Sequence, residues 1–147
     1  MRRVGLHHVD VVVSSFERSL PFYRDLLRPL GYVEAYEAQG ERGETIWYLD
    51  GEGVGASLGI REAQSSSNAP HDRYAVGLHH IAFEASSKEM VDERFRWAVA
   101  QGAAIENEPQ EWPYVAGYYA TFFHDPDGLK LEVVFVPYSA TSSATSP

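Results

Sequence analysis

The sequence predicts an α+β fold made of two tandem βαβββ modules, on three observations. Val4-Gly5-Leu6-His7-His8 recurs as Val76-Gly77-Leu78-His79-His80, 72 residues later and close to half of the 147-residue chain. Each copy is followed by a short β-prone run and then a Ser-x-x-Glu spacing, Ser14 to Glu17 and Ser86 to Glu89, which reads as a capping box at a helix start. Beyond each helical stretch lie three further β-prone runs separated by turn residues. The repeat continues where Arg24 falls on Arg96.

In the first module the opening strand is Val9 to Val13. A helix follows, with Leu20, Tyr23, Leu27 and Leu30 recurring on one side and Gly31 ending it. Pro21 lies inside that pattern and removes one backbone donor, so a bend or an irregular first turn is expected there. Strands are expected at Tyr32 to Ala38, Glu44 to Leu49 and Val54 to Ile60. In the second module the opening strand is Ile81 to Ala85, and the helix carries Val91, Phe95, Ala98 and Val99 before Gly102. Its strands are Ala104 to Asn107, Tyr118 to Phe123 and Leu129 to Val136, the last two joined by the turn Asp125-Pro126-Asp127-Gly128. The expected organisation is one domain over 1–138. Module one spans 4–60, module two spans 76–138, and 61–75 connects them, with Arg61 to Asp72 reading as a linker or loop. The tail 139–147 is expected to be disordered.

Composition excludes several classes of function. Hydrophobic residues make up 44% of the chain, enough to fill a core. Twelve Lys and Arg against 21 Asp and Glu give a net charge of −9, which repels nucleic-acid backbones and anionic membrane surfaces. With no cysteine, disulfides, thiolate nucleophiles and Cys-ligated metals are excluded. Apolar runs such as Val9 to Val13 are too short to span a bilayer, and the first residues lack the apolar stretch of a signal peptide, so a cytoplasmic location is expected.

Side chains alternate across a strand. Val9, Val11 and Val13, like Ile81, Phe83 and Ala85, form apolar faces for the helices. His8, Asp10 and Val12 point the other way, as do His80, Ala82 and Glu84. On the last strand Leu131, Val133 and Phe135 take the helix side, leaving Lys130, Glu132 and Val134 opposite. A lone histidine is ordinarily a hydrogen-bonded structural residue. Two at the same repeat position, with the carboxylate of Glu132 on a matching face, form instead a set suited to one divalent transition metal, Fe, Ni, Mn, Co or Zn. Asp10 shares the His8 face and is a candidate fourth ligand, partner of a ligand or general base, with Lys130 or solvent as its alternative partner. Tyr114, Tyr118 and Tyr119 form an aromatic group in which alternation sends Tyr118 and Tyr119 to opposite faces; Tyr119 is the candidate catalytic phenol. His7 and His79 read as structural, and His71 and His124 as solvated.

At these residues the chain resembles the vicinal oxygen chelate superfamily of glyoxalases, fosfomycin- and bleomycin-resistance proteins and extradiol dioxygenases. The matching elements are His8-Val9, Phe16-Glu17-Arg18-Ser19 and Phe22-Tyr23-Arg24-Asp25, then His80-Ile81-Ala82-Phe83 and Asp125-Pro126-Asp127-Gly128-Leu129-Lys130-Leu131-Glu132. The resemblance covers residues 4–138. It implies paired βαβββ modules curled into a cup with helices outside and a metal held by His8, His80 and Glu132. It also implies a small-molecule substrate and a homodimer, with modules paired within one chain or exchanged between two. Glyoxalase-type members carry a fourth ligand on the last strand of the first module; here that position falls at Ser57 or Gly59, neither a good ligand. The chain thus resembles a three-ligand site, which is also the extradiol dioxygenase pattern. Two functions are implied. One is a metal-dependent enzyme with lyase, isomerase or ring-cleaving dioxygenase chemistry. The other is a metal-free protein that binds a drug or metabolite, a class that usually lacks the His, His, Glu set.

Overall fold

A computed structural model describes residues 4–65 and 69–137. The described elements run β1 (His8–Val13), α1 (Phe16–Leu27), a 3-10 turn (Arg28–Leu30), β2 (Glu34–Gln39), β3 (Thr45–Asp50), β4 (Ser57–Glu62), β5 (Ile81–Glu84), α2 (Lys88–Ala100), β6 (Ile105–Glu111), β7 (Tyr119–His124) and β8 (Lys130–Phe135). The chain divides into two compact units, Met1–Ala69 and Pro70–Pro147, and that boundary falls inside the connection expected at 61–75. The expected tail at 139–147 lies outside the described residues. No helix among the described residues is long and apolar enough to cross a membrane.

Each unit is a βαβββ module, as the repeat predicts. The strand orders are β1-β4-β3-β2 and β5-β8-β7-β6. In both sheets the first strand runs parallel to the last, and the remaining pairings are antiparallel. The long connection that a parallel pairing requires runs in each unit through the helix and the two intervening strands.

The apolar faces follow the expected alternation at Val11, Val13, Phe83, Ala85, Leu131 and Val133, whereas Val9, Ile81 and Phe135 are only half-buried and Val134, expected on the opposite face, is buried too. In the first unit Val11, Val13, Leu49, Leu58 and Ile60 are buried, as are Tyr23, Leu26 and Leu27 of α1. Burial of one such side chain contributes about 1.5–3 kcal/mol. Pro21 does not break α1, and Gly31 terminates the following turn in the left-handed conformation at φ 106°. In the second unit Phe83, Phe123, Leu131 and Val133 are buried along with Val91 and Ala98 of α2.

Four local expectations are corrected. The helices start one residue later than the Ser-x-x-Glu spacing indicates. Ser87, not Ser86, caps α2 by accepting from Met90 N at 3.1 Å. Ser15 is the N-cap of α1 and makes no side-chain cap bond; the Glu62 carboxylate accepts from Phe16 N at 2.8 Å instead, a favourable place for negative charge. Arg61 and Glu62 are not linker: they end β4, paired with Val12 and Val13. The buried stripe of α2 is Val91, Arg94 and Ala98, whereas Val99 is exposed. Arg94 lies buried with a bidentate bond to Glu93 and its guanidinium over the Trp97 ring. Finally, β2, β3, β4 and β7 are each displaced by one or more residues from their expected spans, β8 is shorter by one residue at each end, and β6 extends to Glu111.

Candidate metal centre

In the second unit, β8 presents Glu132 opposite Ala82 on β5, with His80 immediately before β5. Glu132 lies on the face away from α2, yet its side chain is only 3% exposed. Its two oxygens have different partners. Oε2 accepts the hydroxyl of Tyr118, and Oε1 stands 3.2 Å from His80 Nε2. His80 Nδ1 lies 2.7 Å from Nδ1 of His79, and the His80 ring meets Phe122 edge-on at 6.3 Å. Burial first, then the bond to Glu132, pushes the Tyr118 phenol well above its ordinary value, so it remains a donor at neutral pH.

In the first unit the same elements position a related group. His8 opens β1; its Nδ1 lies 2.9 Å from that of His7, and its ring meets Tyr48 edge-on at 5.6 Å. Asp10, two residues along the same face, accepts from Arg61 Nε at 2.7 Å and from the Tyr48 hydroxyl at 3.4 Å, both on Oδ2. Its other oxygen, Oδ1, is buried without a hydrogen-bond partner. Arg61 also contacts Glu44 at 2.9 Å and Glu41 at 3.3 Å. Its hydrogen bond to Asp10 is the largest cause that raises its pKa above the ordinary value. The partner of Asp10 is therefore Arg61; Lys130 instead binds Glu106 at 2.8 Å.

Tyr119 does not share the Glu132 face. Its hydroxyl donates to Asp92 of α2 at 2.6 Å, and that bond with burial pushes its pKa up to about 12. The phenol at the carboxylate is Tyr118, because strand alternation places 118 with Ala120 and Phe122 rather than with the helix-facing residues. The contacts of His7 and His79 to the two candidate ligands were also missed by sequence reasoning. Their signal was present: the repeat doubles the histidine in both copies.

The residues fit a divalent metal. One of the two facing Nδ1 atoms of His79 and His80 must carry the shared proton. When His79 carries it, His80 Nε2–H donates to the carboxylate oxygen 3.2 Å away; when His80 carries it, Nε2 offers a lone pair beside that oxygen, and the two atoms then suit a shared cation. Two donors about 2.1 Å from one ion stand roughly 3 Å apart when they subtend a right angle at it. Imidazole with carboxylate is a donor set for Fe, Mn, Co, Ni or Zn. Among the described residues no three His, Asp or Glu side chains come together as a ligand group.

The model of the Glyoxalase/Bleomycin resistance protein/Dioxygenase superfamily matches residues 5–133. The chain belongs to this superfamily. A relative at 33% identity over 132 residues is the uncharacterized protein YqjT of Bacillus subtilis, with 88% of this chain and 97% of YqjT covered. The metallothiol transferase FosB of Staphylococcus epidermidis is 26% identical over 129 residues, 88% of this chain and 81% of FosB. Among solved structures, the glyoxylase/bleomycin resistance protein/dioxygenase domain from Frankia sp. EAN1pec shares the fold. Its TM-score is 0.74 at 22% identity, covering 92% of this chain and all of that one (100%). In superfamily terms the α+β architecture of two four-stranded mixed sheets with two helices is the expected one.

Proposed function

We propose that the chain is a metal-dependent enzyme of the glyoxalase type, acting on a small oxygen-bearing substrate at one divalent transition metal held by His8, His80 and Glu132. The observation that carries this reading is the buried Glu132 oxygen facing His80 Nε2 at 3.2 Å. His8 joins the set by its identical place in the repeat, from the same chain or from a second copy in a homodimer. The name of FosB, a metallothiol transferase, adds support for a metal. Such a set favours the enzyme over a metal-free binding protein, a class that usually lacks the His, His, Glu combination.

When bound, the metal supplies Lewis-acid polarisation of substrate oxygens. The protein's own residues do the rest. Tyr118 fixes the orientation of Glu132 by holding Oε2. His79 and His7 fix the rings of His80 and His8 through Nδ1, which directs Nε2 outward. Ligands held by partners in this way keep their geometry without reorganising as charge develops on the substrate. Isomerase or lyase chemistry follows, with ring-cleaving dioxygenation as the branch reached with Fe(II).

The test is elemental analysis of protein purified without added metal, then chelation and reconstitution with Fe(II), Ni(II), Mn(II), Co(II) and Zn(II) in an activity screen. One bound ion per chain, and turnover that disappears on chelation and returns with one of these ions, are expected. Full activity in chelated protein would overturn the reading.

A further inference from the structure

Resting on the metal reading above, we propose that Asp10 is the first unit's counterpart of Glu132 and supplies an oxygen donor, Oδ1, to the metal beside His8. The two units place the carboxylate on different strands of the same paired position. In the second unit Ala82 on β5 faces Glu132 on β8. In the first unit the equivalent pair is Asp10 on β1 facing Gly59 on β4. Small residue and carboxylate have changed places across the ladder. The neighbouring strand follows the same register: Phe122 faces Glu132, Tyr48 faces Gly59, and each ring meets its unit's histidine edge-on.

Space and bonding agree with the exchange. A Cβ on residue 59 would lie 2.2 Å from Asp10 Oδ1 and 2.7 Å from Tyr48 Cε1. Glycine there clears the room that the Asp10 carboxylate occupies. In both units a phenol holds one carboxylate oxygen, Tyr118 on Glu132 and Tyr48 on Asp10. In both units the other oxygen is turned from that phenol, and in Asp10 it is buried with no partner at all. A buried acceptor left without a donor is costly unless a donor or cation meets it. Arg61 is one guanidinium among three carboxylates, Asp10, Glu41 and Glu44, so it does not balance the charge of the group.

The experiment is Co(II) titration of the full-length protein, followed by calorimetry and by the visible absorption of the bound ion. Wild type, Asp10→Asn, Arg61→Gln, Glu132→Gln and the double variant Asp10→Ala with Gly59→Glu are compared. Asp10→Asn should weaken Co(II) binding by about a hundredfold or more and alter the absorption band. Arg61→Gln should weaken it about tenfold or less. The double variant, which returns the carboxylate to β4, should recover binding and band beyond Asp10→Asn. Unchanged affinity and spectrum in Asp10→Asn, with binding lost in Glu132→Gln, would overturn the role of Asp10 and leave the metal reading standing. An equal loss in Arg61→Gln and Asp10→Asn would also overturn it, since the ion pair alone would then explain the effect. Wild type that binds no Co(II) would overturn both.

Discussion

The hydroxyl of Tyr118 donates to Oε2 of Glu132, and that contact decides which oxygen of the buried carboxylate faces His80. Tyr118→Phe removes the restraint and leaves Oε2 without a partner. Metal affinity should fall by about 10- to 100-fold, the range for groups that orient a ligand. Tyr119→Phe breaks only the bond to Asp92; it should cost about 1 kcal/mol of stability and leave metal affinity unchanged. Calorimetric metal titration and urea unfolding of the two variants separate these effects.

Gly59→Ala forces a Cβ against Asp10 and the Tyr48 ring. Both must shift, at a cost of about 1–3 kcal/mol typical of overpacking. Gly51→Ala should cost more, because its Cβ would lie 1.9 Å from the Gly31 carbonyl oxygen and backbone cannot swing aside. Urea midpoints of the two variants against wild type provide the comparison.

Glu106 gathers Arg73, Lys130 and His124. Desolvation raises its pKa, but the bonds from Lys130 and Arg73 outweigh it and bring the group from 4.5 to about 2. A folded pKa below the unfolded one stabilises the fold fully above about pH 4.5, and that stabilisation is lost as pH falls through about 2. Glu106→Gln should therefore lower stability by about 1–2 kcal/mol at pH 7, allowing for partial exposure. It should also flatten the stability profile between these two pH values, measured by urea unfolding across the acid range.

Ser87 makes a cap bond and Ser15 makes none. Ser87→Ala should cost about 1 kcal/mol, and Ser15→Ala only a few tenths. Thermal unfolding of the two variants tests the difference.

Adjacent serines before each helix explain why the cap was misplaced by one residue: either hydroxyl suits the role, and the choice depends on where the preceding strand releases the chain. Arg61 and Glu62 were illegible as strand for a related reason. Their membership of β4 depends on parallel pairing with Val12 and Val13, a contact between residues some fifty positions apart that no local pattern encodes. By contrast the modules themselves, the helix-facing residues and the face shared by His8 with Asp10 were legible, because a repeat and a period of two write them directly into the sequence. Alternation separates Tyr118 from Tyr119, but that Tyr118 is the one on the Glu132 face follows only from the β7–β8 register, in which Phe122 stands opposite Glu132. The exchange between Asp10 and Gly59 needed the strand register.

The central claim, that His8, His80 and Glu132 hold one divalent metal, is tested most directly by equilibrium metal titration with elemental analysis. Wild type is compared with His8→Ala, His80→Ala and Glu132→Gln, each verified as folded by circular dichroism. One ion per chain in wild type, and loss of stoichiometric binding in all three variants, is the predicted result. Retention of one tightly bound ion in any of the three folded variants would contradict it.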